Sequence, residues 1–543
     1  MTTGYPRFFV ARVVHKLAMR LLEIHNAREG TVDGEEAGVG TSGGRLAMLL
    51  DTVRHADMCR RMLEEWCLVR TEGERIVDIG VYNVTWDGKI TTVDSGEKLT
   101  QGGPPRKIGD EDIVLLSFPV ELALDAKSLW QHTGFGISSR RATHWLDNAP
   151  FLSTATPQKS LSPPPDAARR VGQAKADIKE RLATGNSSPT LTVSPSDVFL
   201  CPTGMTAIAE TADAIKSLRQ HTPDSPYRVA VFGFPYVDTY KVLSRVLGFV
   251  PTLYNSTLPS LDALEALLAT TTIDALFTEF PGNPLLQSPD LTRLHALSRR
   301  HNFALVVDDT IGTYASLSLL RACDVLCTSL TKMFSGQCNV MGGAVTLSPA
   351  SPFYGGLQGV LAARRAEVEG AWFWEDVLVM ERNGRDFVER VRRASRNAEA
   401  VAGALRRSRV VREVYYPLGA ETQGVYDEYR VEGGGYGYML SVKFERLEQA
   451  VAFYDALDVA KGPSLGTNFT LCCAYTLLAH YKELEWAAEY GVVEDLVRIS
   501  VGLEDREWLE ERVRKALAAA EAVTNGAVVN GAVNGDGPKF SEI

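Results

Sequence analysis

The sequence predicts an α/β protein in which a large domain with a mixed, mostly parallel β-sheet precedes a smaller carboxyl-terminal α/β domain. Between residues 190 and about 350, short apolar segments alternate with helical patterns, an order typical of a parallel, doubly wound sheet. The chain has 543 residues, of which 45% are apolar. This is enough apolar material for more than one hydrophobic core.

The composition and periodicity of the chain predict five segments: an amino-terminal segment at 1–26, an inserted lobe with a proline-rich linker at 27–189, a large domain at 190–404, a smaller domain at 405–521 and a tail at 522–543. Apolar residues at helical spacing indicate a helix in the first segment. The tail repeats Asn-Gly-Ala-Val and is predicted to be disordered. For the inserted lobe, structural packing, oligomer contacts and an active-site wall all remain open.

Within the inserted lobe, the sequence predicts both helices and strands. An Asp-Gly pair at 87–88 lies between β-prone runs and is a strong hairpin signal. Ser138 or Ser139 is a suitable amino-terminal cap for a helix. The predicted helices are 45–68, 121–132 and 138–147, and the predicted strands are 75–79, 81–85, 90–93 and 112–118.

In the large domain, apolar runs predict seven strands, at 197–200, 228–233, 249–254, 274–279, 303–308, 323–329 and 343–347. Polar residues that can carry chemistry follow these strands, at the carboxyl ends where open α/β sheets bind ligands. For the rest of the chain, the sequence predicts a long helix at 382–406, a strand at 439–444 and a helix at 504–521.

Lys332 follows the apolar run 322–327 and precedes a turn-forming segment. A lysine at the end of a buried strand is unfavourable unless it is paired or used. One use is a Schiff base with a carbonyl compound, because a desolvated amine loses its charge more easily. The hydroxyl groups of Ser329 and Thr331 are placed to hold an anion beside it. The alternative is a lysine that extends from a strand end into solvent.

Two further motifs fit this chemistry. Asp308 ends an apolar strand, where an acid suits a metal ion, a helix cap or the ring nitrogen of pyridoxal phosphate. Gly204 and Met205 lie in the segment 201–207, which follows the predicted strand at 197–200 and leads into a helical pattern at 207–210. Glycine at a helix amino terminus lets backbone N–H groups reach a phosphate. Gly204 and Met205 alone also fit an ordinary turn. Phosphate cradle, ring acid and lysine in this order are far more specific together.

These motifs resemble the pyridoxal-phosphate enzymes of cysteine and methionine metabolism, the trans-sulfuration enzymes, and most closely the fungal cystathionine γ-synthase group. The matching segments are 2–9, 201–205, 279–286, 307–312, 329–343, 462–471 and 497–504. The resemblance implies the type I fold of pyridoxal-phosphate enzymes, with pyridoxal 5′-phosphate as cofactor. It also implies a homodimer or homotetramer with the cofactor site at the subunit interface.

The resemblance implies roles for residues around the cofactor ring. Lys332 binds the cofactor and moves a substrate proton, and Asp308 keeps the ring nitrogen protonated. Tyr236 stacks on the ring and assists proton transfer, and Asn283 hydrogen-bonds the ring hydroxyl. Without the resemblance, Tyr236 fits a core aromatic residue and Asn283 fits a turn. Glu279 either orients the site or is a charge at a strand end.

The resemblance also implies residues that bind the phosphate and the substrate. The phosphate-binding set is Gly204, Met205, Ser329 and Thr331. Tyr5 and Arg7 match a pair that reaches across the dimer to the neighbouring phosphate. Arg498 lies in an apolar strand and matches the arginine that binds the substrate α-carboxylate, with a structural ion pair as the alternative. Ser464 matches a residue that helps to hold this carboxylate or the lysine.

The implied reaction is a γ-replacement on O-acetyl-L-homoserine with L-cysteine, giving L-cystathionine and acetate. The same chemistry serves sulfide, or a carbon or nitrogen nucleophile in a secondary-metabolite pathway. Segments 313–315 and 472–474 differ from the fungal group, which keeps that pathway open. The sequence also fits a γ- or β-lyase or a non-catalytic assembly subunit, although intact Lys332, Asp308 and Arg498 argue against the subunit.

The composition excludes several classes of function. A net charge of −10 argues against a nucleic-acid-binding surface. The eight cysteines show no CxxC pair, which predicts buried free thiols. There is no apolar run of membrane-spanning length and no signal-peptide pattern, so we expect a cytoplasmic enzyme that acts on small amino-acid substrates without a membrane partner.

Overall fold

The computed structural model describes residues 10–29, 44–73, 77–93, 112–152, 166–219 and 225–523. In these ranges the chain forms three β-sheets of four, seven and five strands. None of the helices in these ranges combines the length and the apolar character that crossing a bilayer requires. The segment around Tyr5 and Arg7, the proline-rich part of the linker and most of the predicted tail lie outside the described residues.

The four-stranded sheet and its helices form the amino-terminal lobe, the described residues between 10 and 152. Its elements are α1 (Arg12–Glu29), β1 (Arg45–Leu50), α2 (Val53–Arg70), β2 (Gly80–Val84), β3 (Ile90–Thr92), β4 (Ile113–Pro119), α3 (Ala123–Thr133) and α4 (Ser139–Asn148). The strand order is β1-β4-β2-β3, antiparallel throughout. The predicted hairpin is confirmed as β2–β3, and Ser138 caps α4 by accepting a hydrogen bond from the Arg141 amide.

Two predictions for the lobe are wrong in part. The predicted helix at 45–68 is a strand at Arg45–Leu50 followed by a helix at Val53–Arg70. The run at 45–50 is almost continuously apolar, so its periodicity does not separate a buried strand from a helix. It pairs with β4, and Thr52 then caps the helix. Residues 77–79 of the predicted strand at 75–79 lie outside β2, which begins at Gly80.

The seven-stranded sheet carries most of the remaining chain. Its elements and flanking helices are α5 (Ala167–Asn186), β5 (Val198–Cys201), α6 (Gly204–Leu218), β6 (Arg228–Phe232), α7 (Val237–Lys241), β7 (Val250–Tyr254), α8 (Leu258–Leu268), β8 (Ala275–Glu279), α9 (Leu291–His301), β9 (Ala304–Asp308), β10 (Val325–Thr328), β11 (Gly343–Leu347), α10 (Tyr354–Ala371), α11 (Trp374–Asn383) and α12 (Phe387–Arg406). The strand order is β5-β11-β10-β9-β8-β6-β7.

This sheet is mixed and mostly parallel, as predicted. Only β11 among these strands runs antiparallel to both neighbours, β10 and β5. The predicted helix at 382–406 begins at Phe387, because α11 ends at Asn383 with Gly384 as its carboxyl-terminal cap.

Both faces of the large sheet are buried, which accounts for its continuous apolar strands. In β9, Leu305 and Val307 point into one core cluster, whereas Ala304 and Val306 point into a second cluster on the opposite face. The second cluster also contains lobe residues such as Leu129. The lobe therefore extends the core on the α6 side of the sheet.

The five-stranded sheet forms the carboxyl-terminal part of the described chain. Its elements are β12 (Val411–Tyr415), α13 (Gln423–Tyr429), β13 (Met439–Phe444), α14 (Leu447–Ala456), β14 (Ala460–Lys461), β15 (Leu471–Ala474), α15 (Tyr475–His480), α16 (Leu484–Glu489), β16 (Val497–Ser500) and α17 (Arg506–Glu521). The order is β12-β13-β16-β15-β14, antiparallel except for β14–β15. The division of the chain into domains at 189/190 and 404/405 stays a prediction.

Candidate active site

A cavity of about 580 Å³ lies between the carboxyl ends of the large-sheet strands and the five-stranded sheet. All the described residues that the sequence predicted for the site line this one cavity: Gly204, Met205, Tyr236, Asn283, Asp308, Ser329, Thr331, Lys332, Ser464 and Arg498. Tyr5 and Arg7 lie outside the described residues, so their predicted contacts stay predictions.

Lys332 lies in a turn just after β10 and is half-buried. Its backbone amide donates to the Ser329 carbonyl over 3.2 Å, and its Nζ atom lies 3.4 Å from Ser464 Oγ. A Cβ atom at Gly466 would lie 2.8 Å from Lys332 Cβ. The small-domain loop around Ser464 therefore packs directly against the lysine, and a side chain at Gly466 would displace it.

Asp308 is the last residue of β9, and its Oδ1 atom accepts a hydrogen bond from the Thr310 amide over 2.9 Å. Burial raises the pKa of Asp308, while its hydrogen bonds with Thr310 and the electrostatic effect of the nearby Lys332 oppose this shift. A positively charged group beside this carboxylate would be stabilised strongly, because few water molecules compete for it.

The amino terminus of α6 faces the loop after β10. Thr203 caps the helix, since its hydroxyl accepts a hydrogen bond from the Thr206 amide over 3.0 Å. A Cβ atom at Gly204 would lie 2.7 Å from Ser329 Cβ, so only glycine allows this close approach. Thr331 differs from Ser329 because its hydroxyl already exchanges hydrogen bonds with the Gly342 backbone. The arrangement brings helix-terminal N–H groups next to a serine hydroxyl, which suits an anion.

Arg498 projects from β16 and is 2% exposed. Its guanidinium donates to Asn283 Oδ1 over 3.0 Å and to the carbonyls of Pro463 and Ser464 over 2.5 and 3.0 Å. All these acceptors are neutral, and in the described part of the chain Arg498 forms no ion pair with a carboxylate. The structural ion pair considered from the sequence is therefore not found there, and the charge remains available for an acidic ligand.

Two residues have roles that the sequence left open or did not indicate. Glu279 ends β8 and accepts hydrogen bonds from the amides of Tyr236, over 2.5 Å, and Asn283, over 2.9 Å. Burial and the neighbouring Asp308 raise its pKa. Tyr475, which was missed, accepts a hydrogen bond from Asn283 Nδ2 over 3.1 Å, and the Arg498 guanidinium lies 4.7 Å from its ring centre. No sequence signal separates Tyr475 from an ordinary core aromatic.

The chain matches the family model described as Cys/Met metabolism PLP-dependent enzyme over residues 193–518. It also matches the model described as fungal trans-sulfuration enzyme, N-terminal domain, over residues 13–138. The second match coincides with most of the amino-terminal lobe.

The chain is also similar to individual proteins over most of its length. It is 34% identical to a cystathionine gamma-synthase of Neurospora crassa, over 96% of this chain and 92% of that protein. It is 33% identical to the cystathionine gamma-synthase-like enzyme iboG2 of Amanita muscaria, over 96% and 91%. A solved structure of cystathionine gamma synthase from Xanthomonas oryzae pv. oryzae, in complex with aminoacrylate and cysteine, aligns with a TM-score of 0.56 and 25% identity, over 66% of this chain and 88% of that one.

Proposed function

Because the chain belongs to the family of Cys/Met metabolism PLP-dependent enzymes, we propose that it replaces the acetoxy group at Cγ of O-acetyl-L-homoserine with the sulfur of L-cysteine. This γ-replacement yields L-cystathionine and acetate. The chain has the type I fold of these enzymes, uses pyridoxal phosphate and is a cystathionine γ-synthase-like enzyme. The donor and the acceptor are our proposal, as are the roles of the individual residues.

The cavity fits pyridoxal phosphate. Gly204 keeps the space at the α6 terminus open, because any Cβ atom there would collide with Ser329. This terminus would hold the phosphate, Asp308 would hold the proton on the ring nitrogen, and Tyr236 would stack on the ring. Lys332 supplies the amine for covalent attachment. When bound, the cofactor supplies an electron sink for the pair left at the substrate Cα.

The position of Ser464 is the observation that best supports the assignment of the reaction centre. Its hydroxyl lies 3.4 Å from Lys332 Nζ, and its carbonyl accepts a hydrogen bond from Arg498 over 3.0 Å. The same loop therefore sets the separation between the amine and the guanidinium. A substrate whose α-carboxylate binds Arg498 is thereby oriented with its Cα towards Lys332.

In the reaction, Arg498 binds and orients the α-carboxylate, and Lys332 moves the protons. Lys332 Nζ first takes the proton from Cα, since an unprotonated amine held beside that carbon is a suitable general base. Loss of a second proton at Cβ then accompanies departure of acetate from Cγ. The thiol of cysteine loses its proton and its sulfur adds at Cγ, and protons return to Cβ and Cα. Two of the three released protons are thus returned and the third leaves with the acetate, so atoms and charges balance.

We also propose that the protein assembles as a homodimer or homotetramer, in which Tyr5 and Arg7 contact the phosphate of a neighbouring subunit. Two apolar side chains at the cavity support this assembly. Phe469 and Leu478 line the cavity and are 41% and 50% exposed in the single chain, as expected if a neighbouring subunit covers them. Light scattering of the purified protein should give a mass of two or four chains. A stable monomer with full activity would contradict this assembly.

One competition experiment tests the reaction. The purified enzyme, loaded with pyridoxal phosphate, is given O-acetyl-L-homoserine together with L-cysteine, sulfide and acetoacetate, and the products are identified by mass spectrometry. Cystathionine as the main product supports the proposal. A homocysteine or carbon-linked product would identify a different acceptor, while the proposed γ-replacement would stand. Ammonia with a keto acid would indicate a lyase, and an unconsumed donor would contradict γ-replacement itself.

A further inference from the structure

One helix of the amino-terminal lobe ends next to the active-site cavity of the large sheet. Helix α3 stops at Gly134, which has a φ of +70° and terminates the helix in the left-handed conformation. The helix packs against both α6 and α7. Its last turn places Gln131 in the wall of the active-site cavity. The lobe thus reaches the site within the same chain.

The first attachment is to the cap of α6. The carbonyl of Gly134 accepts hydrogen bonds from the hydroxyls of Thr203, over 3.3 Å, and Thr206, over 3.2 Å. Thr203 is the residue that caps α6, and all three residues are closely packed, since a Cβ atom at Gly134 would lie 2.2 Å from Thr203 Oγ1. The lobe therefore holds the hydroxyl that orders the helix-terminal N–H groups.

The second attachment is to the segment that carries Tyr236. His132 Nδ1 lies 2.8 Å from Asp238 Oδ1, and the two residues are only 5% and 1% exposed. Asp238 lies in α7, two residues after Tyr236, and lines the cavity. A buried hydrogen bond of this kind fixes both partners, because leaving either of them unpaired is unfavourable.

A third attachment anchors the lobe further along α6. His55 Nε2 lies 2.8 Å from Glu210 Oε1, and Arg54 forms an ion pair with the same carboxylate. Glu210 follows Thr206 by four residues, so both lie on the face of α6 that meets the lobe. His55 also stacks on Phe135, directly after Gly134, with ring centres 3.7 Å apart. The lobe and α6 therefore form one packed unit.

We propose that the amino-terminal lobe is a cis-acting part of the cofactor site, in which His132, acting through Asp238, is a positioning residue for the Tyr236 segment. Gly134 has the same positioning role for Thr203 at the amino terminus of α6, where the phosphate would bind. This inference rests on the cavity being the cofactor site, as in the proposed function, and is independent of the donor and the nucleophile. It assigns the lobe to the active-site wall, one of the three possibilities that the sequence left open.

Equilibrium binding of pyridoxal phosphate to the full-length apoenzyme tests this inference. His132→Leu removes the hydrogen-bonding ring, whereas His132→Asn retains a side-chain N–H near the position of Nδ1. Leu21→Ala is the matched control, because Leu21 is fully buried in the lobe core formed by α1, β4 and α4, away from α6. Amide hydrogen exchange of 203–208 and 236–240 is measured on the same apoproteins.

We expect His132→Leu to raise the dissociation constant of the cofactor about 2- to 30-fold, the range for residues that act without touching the ligand. Exchange at 236–240 should also become faster, and His132→Asn should restore both values most of the way. Leu21→Ala should lower the thermal stability but leave the dissociation constant unchanged. The lobe would then position the site rather than only stabilise the chain.

Three results would overturn the inference. Equal cofactor affinity of His132→Leu and the wild type would show that the bond to Asp238 does not position the site. An equal loss of affinity in Leu21→Ala would reduce the lobe to general stabilisation. A wild-type apoenzyme that does not bind pyridoxal phosphate would refute the assignment of the cavity, and this inference with it, whereas a different acceptor in the competition experiment would leave the inference intact.

Discussion

Arg498 Nη1 donates a hydrogen bond of 3.0 Å to Asn283 Oδ1, and this bond joins β16 of the five-stranded sheet to the loop after β8 of the large sheet. The Nδ2 group of Asn283 in turn donates to Tyr475. The proposed carboxylate-binding and ring-binding groups are thus held in one network across two sheets. A change in one should be felt at the other.

Arg498→Lys keeps the positive charge but loses the planar fork that reaches three acceptors. We expect the KM for the homoserine donor to rise about 100-fold, because bonds to a charged group are lost in a buried site. Cofactor affinity should fall by a smaller factor, through the lost bond to Asn283. Steady-state kinetics and cofactor titration check this. Arg506→Lys, at an exposed residue of α17, is the control. An unchanged KM would refute the role of Arg498.

Lys332→Ala should abolish covalent attachment of the cofactor and lower kcat by about 10²- to 10⁴-fold, since the proton-transferring amine is lost. Borohydride reduction followed by peptide mass spectrometry locates the attachment. Lys461 is the comparison site in the same peptide analysis. It also lines the cavity, but it donates its Nζ protons to the carbonyls of Tyr454 and Leu457, so we expect no attachment there. Attachment at Lys461 would contradict the assignment of Lys332.

The residues that the sequence singled out line one cavity because most of them follow apolar strands. Asp308 ends β9, and Lys332 follows β10 after a short turn. In a mostly parallel sheet the carboxyl ends of neighbouring strands lie at one edge, so their order along the chain places them together. Arg498 was recognisable because a charge within an apolar strand needs a partner or a ligand.

Other features of the fold and of the site were not predictable from the sequence, because they depend on contacts between distant segments. The run at 45–50 became a strand through pairing with β4, which overrides a pattern that fits either element. His132 and Asp238 are 106 residues apart, and neither belongs to a motif. Tyr475 likewise acquires its position only when β15 brings the start of α15 against Asn283.

Glu279→Gln should loosen the segments that carry Tyr236 and Asn283. The two carboxyl oxygens of Glu279 each accept a backbone N–H, whereas glutamine offers one acceptor and one NH₂ group. One backbone donor would then face another donor, so we expect the free energy of unfolding to fall by about 1–3 kcal/mol and cofactor affinity to fall with it. Urea denaturation and cofactor titration measure both. Full stability with unchanged affinity would contradict this arrangement.

Asp309, next to Asp308, is buried and accepts a hydrogen bond from the Thr328 hydroxyl. Burial raises its pKa to about 7, compared with about 3.9 in an unfolded chain. Between these values the folded state holds a proton that the unfolded state has released. The contribution of Asp309 to stability is therefore present below pH 4 and is lost as the pH rises through 7.

Asp309→Asn should remove this dependence, because the amide stays neutral and its oxygen still accepts from Thr328. We expect the variant apoenzyme to exceed the wild type in stability by about 4 kcal/mol at pH 8, at about 1.4 kcal/mol for each unit of pKa difference. This advantage should be lost at pH 4, as measured by urea denaturation. Parallel stability curves for Asp309→Asn and the wild type would show that Asp309 does not titrate in this range.

Asp427→Asn is a control of opposite sign. Burial acts to raise the pKa of Asp427, but hydrogen bonds from Gln423, Tyr436 and Arg430 together outweigh it and lower that pKa. The Asp427→Asn variant should therefore be less stable than the wild type at pH 8 and approach it as the pH falls.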